Sequence, residues 1–422
     1  SLTGRDWIEP AVELEHARAL ARRFALPEVV ARLLAMRGID EVTAPVFLEP
    51  RLRTQMPDPS VLRDMDAAAE RLADAVQRGE RIGIISDYDV DGCTSAALVI
   101  RWARQLGVAP VLEIPHRLHD GYGPSVPLID RLHAAGCRLV LVLDSGTTAF
   151  EPLAHAAEQG LGVIVVDHHQ GEPTLPPAVA VVNPNRQDED GRWGTLAAVG
   201  VTFLLLVATN RVLRARGHVR RDGEPSLIAL LDLVALGTIA DVVPLVALNR
   251  AFVAQGLRVM AEAPQVGIRA LADVARVTWP VGAGSVAFAL APRLNAAGRL
   301  DDPLQAAELL VTDDAARAAA LAHRLDGLNA ERRAVEQALA ERAAAVVEAQ
   351  VAAGRRVLFA HGADWHPGVL GIVAGRLAER FHRPVLVAGV RDGRAVGSGR
   401  APDGHDLGAA LRAAAAAGLT LK

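Results

Sequence analysis

The sequence predicts an α/β protein in which a parallel-sheet domain is joined by a long helical connector to a smaller α/β domain. Three observations carry this. From Arg81 onward, short β-branched runs that end in acidic residues (RIGIISDYD, CRLVLVLDSG, LGVIVVDHH) alternate with helical stretches. Unbroken apolar strands alternating with helices make a parallel sheet covered on both faces. After Pro303 an Ala-, Arg- and Glu-rich stretch runs to Gly354 with Gly327 as its only internal glycine and no proline, which reads as a long helix or two. Beyond it, RRVLFAHG, GVLGIVAGRLAERF and RPVLVAGV return to strand and helix.

Taken in order, residues 1–80 form an N-terminal helical extension, since LPEVVARLLAMRGI and MDAAAERLADAVQRG place apolar residues three and four apart. Residues 81–302 form the sheet domain, with acidic residues at the carboxyl ends of its strands, where ligands of such sheets sit. A hydrophobic helix, SLIALLDLVALGTIA, leads into Asp241. Residues 303–354 are the connector and 355–422 the second domain.

A chain of 422 residues exceeds one ordinary core, and 51% hydrophobic content argues against disorder. No uncharged apolar run reaches the roughly 18–20 residues of a membrane span. The start, Ser-Leu-Thr-Gly-Arg-Asp, shows no signal peptide, and a serine in place of methionine suggests a trimmed chain. Cys93 and Cys137 have no metal-ligand spacing, so a reducing cytoplasm is the simplest location and no membrane is expected. The net charge of −4 is unevenly spread: residues 352–422 carry +5, leaving −9 for the rest. That asymmetry suits a carboxylate-rich metal centre in one part and a phosphate grip in another, although abundant arginine alone would also produce it.

The chemistry concentrates at the strand ends. Asp87, Asp89 and Asp91 alternate in SDYDVDG, which puts all three on one face if the segment is extended, with Gly92 permitting a tight turn. Carboxylates this close repel unless a cation neutralises them. A calcium loop would need glutamate as its twelfth residue, and position 98 is Leu98. Asp144 ends the next strand, where a lone aspartate is often a helix cap. Asp167, His168 and His169 end the third, and Asp241 adds a carboxylate after the apolar helix. Aspartates with one or two imidazoles favour manganese or magnesium over zinc.

In order, DYDVDG, DSG, DHH and the later AD resemble the DHH phosphoesterase superfamily. PHRLHDGYG, ADVVPL, APRLNAAGRLDD, LNAERR, WHPGVLGIVAGRLAERFHRPV and GSGR extend the resemblance to RecJ-type exonucleases over nearly the whole chain. The resemblance implies a DHH catalytic domain, a DHHA1-type second domain and 5′-to-3′ degradation of single-stranded DNA to mononucleotides in repair and recombination. Helicase and single-strand-binding protein are the implied partners. It also implies two divalent cations, Mn²⁺ ahead of Mg²⁺, held by Asp89, Asp91, Asp144, His168 and Asp241, with Asp144 bridging. Asp87 and Asp167 would be ligands or supporting groups, and His169 would face the phosphate. Two ions roughly 3.5–4 Å apart can activate a shared water and stabilise the charge on the displaced oxygen.

Recognition falls by resemblance to Arg117, to Arg293 or Arg299 with Asn295 between them, and to a Ser398-Gly399-Arg400 turn. There Gly397 and Gly399 would form an anion-binding nest and Arg400 would meet the terminal phosphate. An isolated arginine more often makes a surface ion pair. Tyr122 and Trp365 would stack on bases or simply pack, and His366 is a further candidate in the second domain.

Ser145 departs from the Asn or Cys usual after the motif-two aspartate. The glycine- and histidine-containing loop and OB-fold that follow in family members are not in this sequence, which predicts a weaker grip on DNA. Two other readings stand beside this one: a DHH enzyme cleaving cyclic dinucleotides or very short RNA, and a helicase-associated scaffold, which would lack the intact acidic set. A family II pyrophosphatase would place histidine where this chain has Ile85.

Overall fold

The computed structural model describes residue 8 and residues 11–220, 223–391 and 393–419; Ser1–Asp6 and Lys422 lie outside the described residues. Helices α1 (Leu14–Phe24), α2 (Glu28–Met36) and α3 (Ala44–Leu48) close around a small core of Leu20, Ala31, Leu34 and Ala44. After the single turn α4 (Leu52–Gln55), α5 (Met65–Arg78) behaves differently. Its Met65, Ala69, Leu72 and Val76 enter the main core beside Ile82 and Leu139. The stretch expected as one extension thus contains a separate helical unit and a helix that roofs the sheet.

Strands β1 (Ile82–Ser86), β2 (Val111–Glu113), β3 (Leu139–Leu143), β4 (Gly162–Val166) and β5 (Ala180–Val182) form a wholly parallel sheet in the order β2-β1-β3-β4-β5. The crossovers include α6 (Val90–Gln105), α7 (Val126–Ala134) and α8 (Phe150–Glu158), and α9 (Ala198–Ala215) follows β5. Alternate strand residues serve opposite faces. Ile84, Leu141, Leu143, Ile164 and Val166 pack in the core that α5 and α9 share, while Ile85, Val140, Val142, Val163 and Val165 pack with the α7 and α8 residues Leu128 and Leu153. The long apolar α9 could cross a membrane by length and composition, but 72% of it is buried here as a core helix.

Helices α10 (Leu231–Ala240), α11 (Ala247–Glu262), α12 (Val266–Val274), the short α13 (Ala283–Ser285), α14 (Ala291–Leu300) and α15 (Leu304–Val311) build a helical layer against α6. The connector then resolves into α15 and one 38-residue helix, α16 (Ala315–Ala352), started by Asp314, whose side chain accepts from the Ala316 and Arg317 amides. α16 is shared by two cores rather than spanning a gap. Leu321, Leu325 and Leu328 pack in the helical layer, and Leu339, Ala343 and Val347 pack in the second domain.

That domain comprises β6 (Leu358–Ala363), α17 (Pro367–Phe381), β7 (Val385–Arg391), β8 (Arg394–Arg400) and α18 (Leu407–Ala416), with β6 parallel and β8 antiparallel to β7. One expectation changes here. Gly397-Ser398-Gly399-Arg400 is not a turn or an anion nest, because it is strand, with Ser398 opposite Val387 and Arg400 opposite Val385. Of the two roles open to Trp365 it takes the packing one, 5% exposed in the core of the second domain.

Candidate metal centre

The sheet register assembles the site. Ser86 pairs with Leu143, Leu143 with Val166 and Val166 with Val182, so the next residues, Asp87, Asp144, Asp167 and Asn183, stand in a row at the carboxyl edge. Asp144 turns out of β3 in the left-handed region at φ 59°, followed by Gly146 at φ 105°. A non-glycine residue held there carries strain that the surrounding structure must sustain, a pattern common at functional sites.

The three aspartates after β1 do not lie extended on one face. The chain enters α6 at once: Asp89 caps the helix by accepting from the Gly92 amide at 3.1 Å. Asp91, in the first turn, accepts from the Ala198 and Val199 amides at 2.7 and 2.9 Å, at the start of α9. Gly92 is required by proximity, since a Cβ there would sit 2.3 Å from the Asp87 carbonyl oxygen. The carboxylates therefore divide between neighbouring clusters. Asp87, Asp89 and Asp144 form one, Asp91, His168 and Asp241 another, and Asp144, His168 and His169 a third, each with ligand atoms within 4.8 Å of one another. Asp144 and His168 each belong to two.

The electrostatics of these clusters call for a cation. Burial, then the neighbouring Asp89 charge, pushes Asp87 up to about 8 and Asp241 up to about 7. Burial and adjacent carboxylates raise Asp91 and Asp144 well above the usual range. Oδ1 of Asp87 and Oδ1 of Asp144 are buried without a hydrogen-bond partner. Orphaned, crowded carboxylate oxygens beside an imidazole fit hard or borderline divalent cations such as Mn²⁺ or Mg²⁺.

The histidines have distinct settings. His168 Nε2 lies 3.3 Å from Asp144 Oδ1 and its Nδ1 lies 3.7 Å from Asp241 Oδ2, and burial lowers its pKa, favouring the neutral ring that a cation needs. His169 Nδ1 meets Asp167 Oδ1 at 2.8 Å, which raises the imidazole to about 9. Burial pushes Asp167 up, but hydrogen bonds from His169 and Thr147 outweigh it and hold the carboxyl below its usual range; the Thr147 amide also donates to its Oδ2 at 3.1 Å. Oδ1 of Asp167 also accepts from the His168 and His169 amides, so this residue is engaged in orienting the histidines. The Tyr122 hydroxyl stands 3.3 Å from His169 Nε2.

Asn183 and Asn185 were not anticipated. Asn183 Nδ2 donates to the His169 carbonyl and to Thr147 Oγ1, both at 2.8 Å, and Asn185 Nδ2 donates to the His168 carbonyl at 2.5 Å. The short Asn-Pro-Asn after β5 was the available signal.

Of the arginines, Arg117 and Arg299 converge at the rim. Arg117 lies 4.0 Å over the Tyr88 ring and donates to the Gly298 carbonyl, and Arg299 donates to the Gly368 carbonyl at the start of α17. Burial, then Arg117 and Arg332, lowers Arg299 to about 10. Arg293 is occupied by Asp326 of α16 and the Ala289 carbonyl, and Asn295 is half-buried on α14. His366 caps α17 through the Gly368 amide and lines a groove of about 520 Å³, with Leu118 and His119 on one side and Arg391 and Arg394 on the other. Ser398 and Arg400 face α17, and Arg400 bonds to Ser398 Oγ and the Gly399 carbonyl.

Known proteins match this architecture. The model of the DHH family, N-terminal domain, covers residues 81–238 and that of the DHHA1 domain residues 350–418. The single-stranded-DNA-specific exonuclease RecJ of Escherichia coli is 41% identical over 396 residues, spanning 92% of this chain and 68% of that protein. The Bacillus subtilis RecJ is 34% identical over 95% of this chain, which spans 50% of its length. The Mn²⁺ complex of RecJ from Thermus thermophilus superposes with a TM-score of 0.80 at 33% identity, over 97% of this chain and 57% of that one. A manganese-bound exonuclease RecJ superposes at 0.71 with 37% identity, over 83% of this chain and 85% of that one. On sequence, domain content and fold, the chain belongs to the RecJ family of DHH phosphoesterases.

Proposed function

We propose that this chain is a two-metal exonuclease that removes mononucleotides from single-stranded DNA in the 5′-to-3′ direction. The observation that carries the reading is the row of strand-end carboxylates with orphaned oxygens on Asp87 and Asp144, beside His168. Asp89, Asp91, Asp144, His168 and Asp241 would hold the cations, with Asp144 common to two of the clusters and Asp87 completing the one it shares with Asp89 and Asp144. When bound, two divalent cations supply Lewis-acid activation of the attacking water and neutralise charge on the phosphate. His169, kept cationic by Asp167, offers a proton at Nε2 toward a phosphate oxygen, and Asp167 acts by fixing the ring. The cationic rim of Arg117 and Arg299 draws the strand toward the acidic centre.

The groove lined by Leu118 and His119 of the sheet domain and by Arg391 and Arg394 of the second domain is the proposed path of one strand, from which a duplex is excluded. A helicase and a single-strand-binding protein are therefore natural suppliers of substrate. Two buried, unbridged cysteines suit a reducing compartment such as the cytoplasm.

The test is manganese-dependent digestion of single-stranded DNA labelled at either end, beside blunt duplex, short RNA and cyclic dinucleotides. The proposal predicts mononucleotides released from the 5′ end of the single strand. Preference for cyclic dinucleotides or two- to three-residue RNA would replace it with the alternative phosphodiesterase reading.

A further inference from the structure

We propose that Glu336 is a positioning residue that pins α17 to α16 and thereby sets where Ser398 and Arg400 stand relative to the acidic centre. Its consequence for DNA rests on the reading of Ser398 and Arg400 as phosphate contacts; the pin itself does not.

Between its two apolar halves, α16 has a polar waist. Glu336 is 1% exposed there. Its Oε2 accepts from Arg332 Nη1 at 2.5 Å, and its Oε1 stands 2.7 Å from Arg376 Nη2 of α17, an ion pair rather than an aligned hydrogen bond. Arg332 is held in turn by Asn329 Oδ1 at 2.8 Å. A buried carboxylate with two arginines is seldom the most stable filling for such a place, since apolar residues of similar volume pack at least as well. What the triad adds is a fixed direction between two helices.

α17 is fixed at a second point. At its start, Arg299 Nη1 donates to the Gly368 carbonyl at 2.9 Å, and a Cβ on Gly368 would fall 2.2 Å from the Arg299 carbonyl oxygen. Gly368 and Arg376 are separated by roughly 12 Å of helix at 1.5 Å per residue. On the face turned to β8, a Cβ at Gly371 would lie 3.0 Å from Ser398 Oγ and 3.5 Å from Arg400 Nη2. The helix is thus packed along one face in the second core and oriented by two polar contacts, to α14 through Gly368 and to α16 through Arg376, with the candidate phosphate groups seated on it. Releasing the Glu336 contact leaves Gly368 and the apolar packing of Val369, Val373 and Leu377 to hold α17, so the helix keeps its place in the core but loses a polar contact that fixes its direction.

The test compares Glu336→Gln, Arg376→Met and the double variant in the full chain with Mn²⁺, by hydrogen exchange without DNA and by kinetics on 5′-phosphorylated single strands. Arg376 is half-exposed, so its variant keeps the test available if Glu336→Gln fails to fold. Each single variant is expected to speed exchange of the α17 amides about tenfold, to raise KM about tenfold and to leave kcat within about threefold. The double variant should be no worse than Glu336→Gln, because that substitution already removes the ion pair with Arg376. Unchanged α17 exchange in the variants overturns the proposal, as does additivity in the double. A lower KM in Glu336→Gln also overturns it, since that result would make Arg376 itself the DNA contact, freed by loss of its partner. An Arg400→Ala arm separates the two readings: if it leaves 5′-end preference unchanged while α17 exchange quickens in Glu336→Gln, the phosphate assignment fails and the pin stands.

Discussion

Asp144 Oδ1 stands 3.3 Å from His168 Nε2, yet that buried oxygen has no hydrogen-bond partner. In the metal-free protein Asp144 is therefore a cost, because an ionisable group is desolvated among like charges. Asp144→Asn should bind Mn²⁺ at least 100-fold more weakly and lose activity by a similar or larger factor. Its metal-free melting temperature should equal or exceed that of the parent. Calorimetric Mn²⁺ titration and thermal melts in chelator check both parts, and a variant with parental Mn²⁺ affinity would remove Asp144 from the ligand set.

Asn185 tests the support beneath the ligands. Its Nδ2 bridges the carbonyls of His168 and Gly194, tying the loop before α9 to the loop after β4. Groups that orient metal-bound histidines typically matter by 10–100-fold in affinity or activity. Asn185→Ala should lower Mn²⁺ affinity within that range while the circular dichroism spectrum stays parental. Parental Mn²⁺ binding in this variant would show that the two carbonyls keep their places without it.

The parallel sheet and its row of Asp87, Asp144 and Asp167 were legible because β-branched runs with acidic ends leave few alternatives for strand position. The division of Asp87, Asp89 and Asp91 was not legible, since alternation implies one face only while the chain stays extended, and Asp89 begins a helix instead. Asn183 and Asn185 act through main-chain carbonyls, which no spacing of acidic and imidazole side chains encodes. The Gly397–Arg400 segment misled because its glycines suggested a turn, whereas antiparallel pairing with β7 fixes it as strand. In the same way, α5 resembles the helices before it in periodicity, and only packing against α9 assigns it to the sheet.

Asp232 offers a pH test remote from the strand-end cluster. Its carboxylate accepts from the Leu233 and Gln265 amides at 2.9 Å, but burial dominates and raises it from 3.8 to about 6. Between those pH values the folded chain holds a proton that the unfolded chain has released. The resulting stabilisation is present below about pH 4 and is lost as pH rises through about 6. Asp232→Asn lacks this titration. The parent should therefore lose up to about 3 kcal/mol relative to the variant between pH 4 and pH 7. Parallel denaturant melts across that range measure the difference, and a gap independent of pH would show that Asp232 is not desolvated as its position implies.

Arg400 is the candidate reader of the strand's 5′ end. Among the described residues no carboxylate lies within ion-pair distance of its guanidinium, which is exposed and bonded only to Ser398 Oγ and the Gly399 carbonyl. A terminal phosphate monoester carries up to one more negative charge than an internal diester, so a guanidinium there can distinguish an end from the middle of a strand. The arrangement differs from a glycine nest. The strand conformation of β8 leaves the side chains of Ser398 and Arg400, seated against α17, to make the contact. A charge-assisted hydrogen bond is worth roughly 1.5–3 kcal/mol, and tenfold corresponds to about 1.4 kcal/mol. Arg400→Ala should therefore lower kcat/KM on 5′-phosphorylated strands about 10–100-fold, change 5′-hydroxyl strands far less, and leave Mn²⁺ binding unchanged. Measuring both substrates with both proteins closes a thermodynamic cycle whose coupling isolates the phosphate contact. Equal losses on the two substrates would deny Arg400 this role and pass it to Arg117 or Arg299, whose guanidiniums converge at the rim of the acidic centre.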